Sequence, residues 1–150
     1  MKIFEFTKEE LKSIYKSCDK YERNYWEKIY GKLGINKKLR KSPHVYIWMI
    51  NNLVIYIGET AGNTSNRSVS IINQILKGSH FHSHDPLKNC WKILEEKIKD
   101  IKKKDGYSKY RIILIPTSHK CLSKALESLL IFILKPLCNK ECKGNKKLKR

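Results

Sequence analysis

The chain has 150 residues, with 32 Lys or Arg against 14 Asp or Glu, a formal charge of +18. That length suits one domain of ordinary size, and 41% hydrophobic residues are enough for a core, which excludes wholesale disorder. No apolar run approaches the ~18 residues of a spanning helix, and the opening MKIFEFTKEE has no sustained apolar stretch of the kind a secretory signal needs. A membrane partner is not expected, and a cytoplasmic location is. The five cysteines, Cys18, Cys90, Cys121, Cys138 and Cys142, form no CxxC pair, which reads as free thiols in a reducing interior. His119, Cys121, Cys138 and Cys142 lack the spacing of common zinc patterns. The charge is spread, with net +6 in each of the segments 1–43, 44–134 and 135–150. A basic field of this size attracts polyanions, of which nucleic acid is the commonest.

In chain order, Thr7 and Glu10 form a capping box, and Leu11, Ile14, Tyr15 and Cys18 follow at helical spacing. A second helix is predicted from about Tyr21 to Tyr30, with its aromatic residues read as core, and it ends at Gly31 and Gly34. Lys37, Lys38, Arg40 and Lys41 make a basic link, and Ser42-Pro43 marks a boundary. His44–Ile50 and Leu53–Gly58 are β-branched and aromatic, separated by Asn51-Asn52, which predicts a hairpin. A strict two-residue turn pairs Tyr46 with Ile57 and puts Tyr46 and Tyr56 on opposite faces. A three-residue loop or a bulge pairs Tyr46 with Tyr56 and puts both on one face. After a polar loop, a helix opens at Arg67 and carries Val69, Ile72, Ile75 and Leu76. A loop holding His80, His82 and His84 leads to Pro86, which opens a helix through Leu94 and Ile98 to Lys104. Tyr110–Ile115 is a third strand, and a last helix spans about Leu122 to Leu134. The expected fold is α+β: a small, mainly antiparallel three-stranded sheet flanked by helices, with an N-terminal helical extension. The expected organisation is an extension and basic link over 1–43, a core over 44–139 and a basic tail over 140–150.

Glu127 is the most informative acid. Its helix is apolar nearly all round, which predicts a mostly buried helix, and a carboxylate there must be paired, hydrogen-bonded or on a metal. Arg67, one of only five arginines, opens a helix after a polar loop, where a guanidinium fork can clamp a phosphate.

Taken together these residues resemble the GIY-YIG nuclease family. The second half of the name motif stands as Tyr56-Ile57-Gly58, and the first half as His44-Val45-Tyr46, with the tyrosine kept and the leading glycine replaced by His44. Arg67 falls nine residues after Gly58, near where the family has its arginine. Leu126-Glu127 and then Pro136 and Asn139 resemble the late glutamate helix and the closing Pro…Asn. Where many members carry a histidine one turn after the arginine, this chain has Ile71, and Lys77, His80 and His82 stay open as substitutes. The resemblance implies a metal-dependent endonuclease acting on DNA, with Mg²⁺ or Mn²⁺ on Glu127, a charge clamp at Arg67, Tyr46 as general base, Tyr56 as orienting group and Asn139 as a supporting catalytic-site residue. Lys37, Lys38, Arg40, Lys41, Lys77, His80 and His82 are the expected DNA contacts, which would supply affinity without sequence specificity. A restriction-type or phage-type enzyme is the favoured form, with a homodimer or sequential nicking needed to cut both strands. A structure-specific or single-strand nuclease, or a non-catalytic nucleic-acid-binding module, is the alternative.

Overall fold

The structure is a computed structural model that describes residues 1–18, 25–61, 71–72, 75–76 and 87–139. Its strands are β1 (Lys2–Phe6), β2 (His44–Ile50), β3 (Leu53–Thr60) and β4 (Tyr110–Pro116). Its helices are α1 (Lys8–Lys16), α2 (Tyr25–Lys32), α3 (Lys37–Lys41), α4 (Trp91–Asp105) and α5 (Lys120–Leu134), with a short 3-10 turn at Lys88–Cys90 leading into α4. Among the described residues no helix is long and apolar enough to cross a membrane.

The architecture is α+β, but the sheet has four strands, not the expected three, in the order β1-β4-β2-β3, all antiparallel. The added strand is β1. Its alternation of polar and apolar residues is short and sits at the chain start, so local pattern carried no turn signal to mark it. Pairing with the β4 edge, from Lys2 opposite Leu114 to Phe6 opposite Tyr110, creates the strand. The segment 1–43 is therefore more than a helical extension, since Phe6, Leu11, Tyr30 and Ile35 all lie in the main core cluster.

Local signals were realised where they are strong. The Thr7 hydroxyl accepts from the Glu10 amide at 3.1 Å, and the Glu10 carboxylate accepts from the Thr7 amide at 3.4 Å, completing the capping box of α1. Asn51 takes φ 50 at the hairpin turn, and its side chain accepts from the Lys109 amide at 2.7 Å and donates to the Tyr107 carbonyl at 3.2 Å. That ties the turn to the start of β4. Gly106 at φ 77 stops α4 in the left-handed region that glycine enters without strain.

The sheet has two buried faces. One holds Tyr46, Trp48, Ile50, Tyr56, Ile112 and Leu114, packed against Phe6, Leu11 and Leu94. The other holds Val45, Ile47 and Ile57, covered by Leu126, Leu130 and Ile131 of α5. The expectation that α5 is mostly buried is corrected. Only Ser123 is fully enclosed on it, while Leu122, Leu129, Phe132, Ile133 and Leu134 are exposed. A single sheet face buries one stripe of a helix, and among the described residues nothing covers the opposite stripe. The cysteines also differ from expectation. Cys90 and Cys138 form a disulfide, and Cys18 and Cys121 are free. They are 48 positions apart, and the fold brings them together, which no sequence spacing announces.

Candidate active site

The hairpin β2–β3 builds the centre of the site through one irregularity. Ile50 pairs with Leu53 and Met49 with Val54 across the two-residue turn, and then the register shifts between Trp48 and Met49. Ile55 is the extra residue on β3. Beyond it Trp48 pairs with Tyr56 and Tyr46 with Gly58. A bulge thus puts both tyrosines on one face, but by pairing Tyr46 with Gly58, whereas a bulge was expected to pair it with Tyr56. The two rings stack with centroids 6.3 Å apart and an interplanar angle of 30°. The Tyr46 phenol lies flat over Gly58, and a Cβ at position 58 would fall on the ring and the hydroxyl oxygen. Glycine is needed there for close approach, so the aromatic side chain covers a strand position that lacks one of its own.

His44 stands two residues before Tyr46 on the same face and is fully buried. Its Nδ1 lies 2.8 Å from the Ser42 carbonyl, an acceptor, so Nδ1 carries the proton and Nε2 is a lone-pair acceptor. Nε2 has no hydrogen-bond partner among the described residues. The imidazole and the Tyr46 ring meet near edge-on, with centroids 6.4 Å apart. Burial lowers the His44 pKa below its ordinary value, against a smaller opposing pull from the Ser42 bond, which keeps the ring neutral at pH 7.

The basic link divides. Lys37, Lys38 and Lys41 are exposed on α3, whose N-cap is the Asn36 side chain accepting from the Leu39 amide at 2.8 Å. Arg40 instead turns inward, with its side chain 12% exposed. Its guanidinium lies 5.3 Å from the centroid of the Tyr30 ring and 4.0 Å from Glu27. Burial drives the Tyr30 phenol well above its ordinary range. Arg40 opposes that shift, and the nearby Tyr46 adds to it. Tyr30 and Arg40 therefore back onto the tyrosine pair, a placement the helical spacing of Tyr30 did not announce beyond core packing.

Asn139 sits at the open edge of β3. Its carboxamide accepts from the Ile57 amide at 2.8 Å and donates to the Ile57 carbonyl at 2.7 Å. The Leu137 amide donates to the Val54 carbonyl at 3.1 Å, and the Cys138 amide to the Ile55 carbonyl at 2.8 Å. The segment 137–139 thus behaves as a short surrogate strand. Its asparagine satisfies both backbone groups of the residue between Tyr56 and Gly58, groups that an unpaired edge would leave open. The neighbouring disulfide Cys90–Cys138 anchors this segment to the 3-10 turn ahead of α4.

Glu127 is half-buried on α5, the helix on the sheet face opposite the tyrosines. Among the described residues no group of three or more His, Cys, Asp or Glu is gathered around a metal-sized space. One half-buried carboxylate is a donor of the kind Mg²⁺ takes, since that ion favours one or two carboxylates together with water and substrate phosphate oxygens over an all-protein cage. Arg67, Lys77, His80 and His82 lie outside the described residues. Ile71, the position of the absent histidine, is buried in the main core.

No family model and no curated protein matches the chain. One solved structure does. This chain is similar in fold to a GIY-YIG endonuclease domain. That structure is the GIY-YIG N-terminal endonuclease domain of UvrC from Thermotoga maritima, bound to magnesium as its catalytic divalent cation. It is 22% identical, the match covers 70% of this chain and 99% of that one, and the TM-score is 0.36.

Proposed function

We propose that this chain is a metal-dependent endonuclease that hydrolyses DNA phosphodiester bonds. The observation that carries the reading is the bulged hairpin, which stacks Tyr46 on Tyr56 above a glycine that leaves room for the Tyr46 phenol. The tyrosine over glycine is also a packing device, an aromatic covering a strand glycine, and here it brings the two tyrosine rings together on one face.

Hydrolysis needs a water activated in line with the bond to be broken, a charge clamp on the phosphate and a stabilised leaving oxygen. In this reading Tyr46, fully buried in this structure, takes the proton of the attacking water once substrate binding admits that water to the pair. Free tyrosine has a pKa of about 10, so a positive charge nearby is required for that role. Tyr56 orients the water or the phosphate. Arg67 stabilises charge on the phosphate as it develops. Asn139 is a positioning residue that holds Ile57, and with it the backbone on both sides, between Tyr56 and Gly58. Glu127, on the helix that covers the sheet face opposite the tyrosines, would hold Mg²⁺ or Mn²⁺, and the ion would supply Lewis-acid chemistry toward a phosphate oxygen there. Lys37, Lys38 and Lys41 on α3, with Lys77, His80 and His82, contact the DNA backbone and add salt-dependent affinity.

The test is incubation of the wild-type protein and Glu127→Ala with supercoiled plasmid and with single-stranded DNA, each with Mg²⁺ and with EDTA. Metal-dependent cleavage that is lost in the variant supports the reading, and the substrate preferred separates a duplex enzyme from a single-strand or structure-specific one. DNA binding with no cleavage of either substrate would replace it with a non-catalytic binding module. Equal cleavage by both proteins would remove Glu127 as the metal ligand.

A further inference from the structure

The stripe of α5 that faces away from the sheet has no task in the site. Leu122, Ala125, Leu129 and Phe132 are exposed and recur at alternating spacings of three and four, the seam of a helix made to pair with another helix. Leu122 is 51% exposed, Leu129 54% and Phe132 72%, and Ile133 flanks them at 59%. Monomeric soluble proteins rarely leave a contiguous apolar patch of this kind open to water. We propose that this face of α5 is the interface between two copies of the chain, packed as an antiparallel helix pair about a two-fold axis.

Four observations favour a second copy over other occupants. First, the seam is self-complementary. Antiparallel pairing centred on position 127 sets Phe132 opposite Leu122 and Leu129 opposite Ala125, so the larger side chains meet smaller ones and the helices can approach closely. Second, the seam is free of charge. Between Leu122 and Leu134 the ionisable residues are Lys124, exposed beside the seam, and Glu127, which neighbours the sheet-packing residues Leu126, Leu130 and Ile131 on the helix. An apolar seam gives no purchase to an acidic protein or to nucleic acid, although the rest of the chain would attract both. Third, the four large side chains Leu122, Leu129, Phe132 and Ile133, each more than half exposed, present on the order of 500 Å² per copy, so two copies would bury about 1,000 Å², the floor for a specific interface. Fourth, the segments of this chain outside the described residues are poor candidates by composition. Residues 140–150 hold six Lys or Arg and one leucine, and residues 19–24, 62–70, 73–74 and 77–86 are mostly polar. The cost of bringing two +18 chains together is screened within a Debye length of ~8 Å at physiological salt. The pairing does not depend on the chain being a nuclease.

The test is sedimentation equilibrium of the full chain at micromolar concentration, in physiological salt and at ~1 M salt, where the Debye length is ~3 Å. The wild type and the double variant Leu129→Lys/Phe132→Lys are compared, with circular dichroism and thermal melting as controls for folding. The expected result is twice the 17.7 kDa chain mass for the wild type and 17.7 kDa for the variant, both equally helical. Should the lysine variant fold poorly, Ala125→Cys/Leu129→Cys in a Cys121→Ser background replaces it, and an oxidised covalent dimer is expected from the antiparallel register. A wild type that stays at 17.7 kDa at both salts overturns the proposal. So does a folded lysine variant that is still dimeric, or an oxidised cysteine variant that remains monomeric. A monomeric wild type that binds neutral lipid vesicles through α5 also overturns it, and would assign the face to a lipid surface.

Discussion

The carboxamide of Asn139 offers the sharpest separation between a structural clamp and a group that touches substrate. Its oxygen and nitrogen are both engaged by Ile57, at 2.8 and 2.7 Å, in a part-buried position. Replacing it with alanine removes two hydrogen bonds worth ~0.5–1.5 kcal/mol each, and leaves an amide and a carbonyl of β3 with restricted access to water. The expected cost is about 2 kcal/mol, which for a chain of this size lowers Tm by ~4–8 °C. Asn139→Asp is the informative control. The carboxylate can still accept from the Ile57 amide, but its second oxygen then faces the Ile57 carbonyl, acceptor against acceptor. At pH 7 the aspartate variant should be no more stable than the alanine variant. Because the charged form is disfavoured in the fold, its folded pKa lies above the unfolded ~3.9. Its stability relative to alanine is therefore regained as pH falls through the folded value. Thermal unfolding of the three proteins, with hydrogen exchange at the Ile57 amide, measures all of this. An aspartate variant as stable as wild type at pH 7, or an alanine variant within ~0.5 kcal/mol of wild type, would refute the clamp.

Gly58→Ala places a methyl group on the Tyr46 ring and should cost about 1–3 kcal/mol as an overpacked core does. The same substitution should cost almost nothing in a Tyr46→Ala background, and additive effects in that double-mutant cycle would mean the two residues do not meet. His44 has a folded pKa below its unfolded ~6.5. The unfolded state therefore binds the proton first, and the stability His44 contributes, present above pH ~6.5, is lost as pH falls toward the folded value. The stability difference between wild type and His44→Gln should shrink between pH 7 and 5, and a difference that is flat with pH would contradict the burial of a neutral imidazole. Cys138→Ser opens a loop with a separation of 48 residues, which on the chain-entropy account destabilises by ~4 kcal/mol. A melting temperature of the wild type that ignores dithiothreitol would show that the disulfide does not contribute.

What was legible in the sequence were features written within a few neighbouring residues. The Thr7–Glu10 capping box, the Asn51-Asn52 turn, the strand His44–Ile50 and the strand from Tyr110 to Ile115, which the fold extends to Pro116, follow from side-chain chemistry and spacing that act over one or two turns of chain. The motif Tyr56-Ile57-Gly58 and the separation of its tyrosine from Tyr46 also stood in the sequence. Whether those tyrosines share a face did not, because a single inserted residue reverses the answer, and only the pairing with β3 placed Ile55 in a bulge.

Tertiary structure decided everything that depends on distant segments meeting. Lys2–Phe6 is a strand because β4 offers it an edge, and Arg40 turns inward over Tyr30 while Lys37 on the same helix stays exposed. Asn139 is committed to Ile57 from 82 positions away, and Cys90 to Cys138 from 48. The apolar composition of α5 promised burial, yet one sheet covers one stripe and leaves the other to water or to a partner. Local propensity is summed over neighbours and can be read along the chain. The energy of burial and of a long-range hydrogen bond belongs to pairs of surfaces, and exists only once the fold has brought them together.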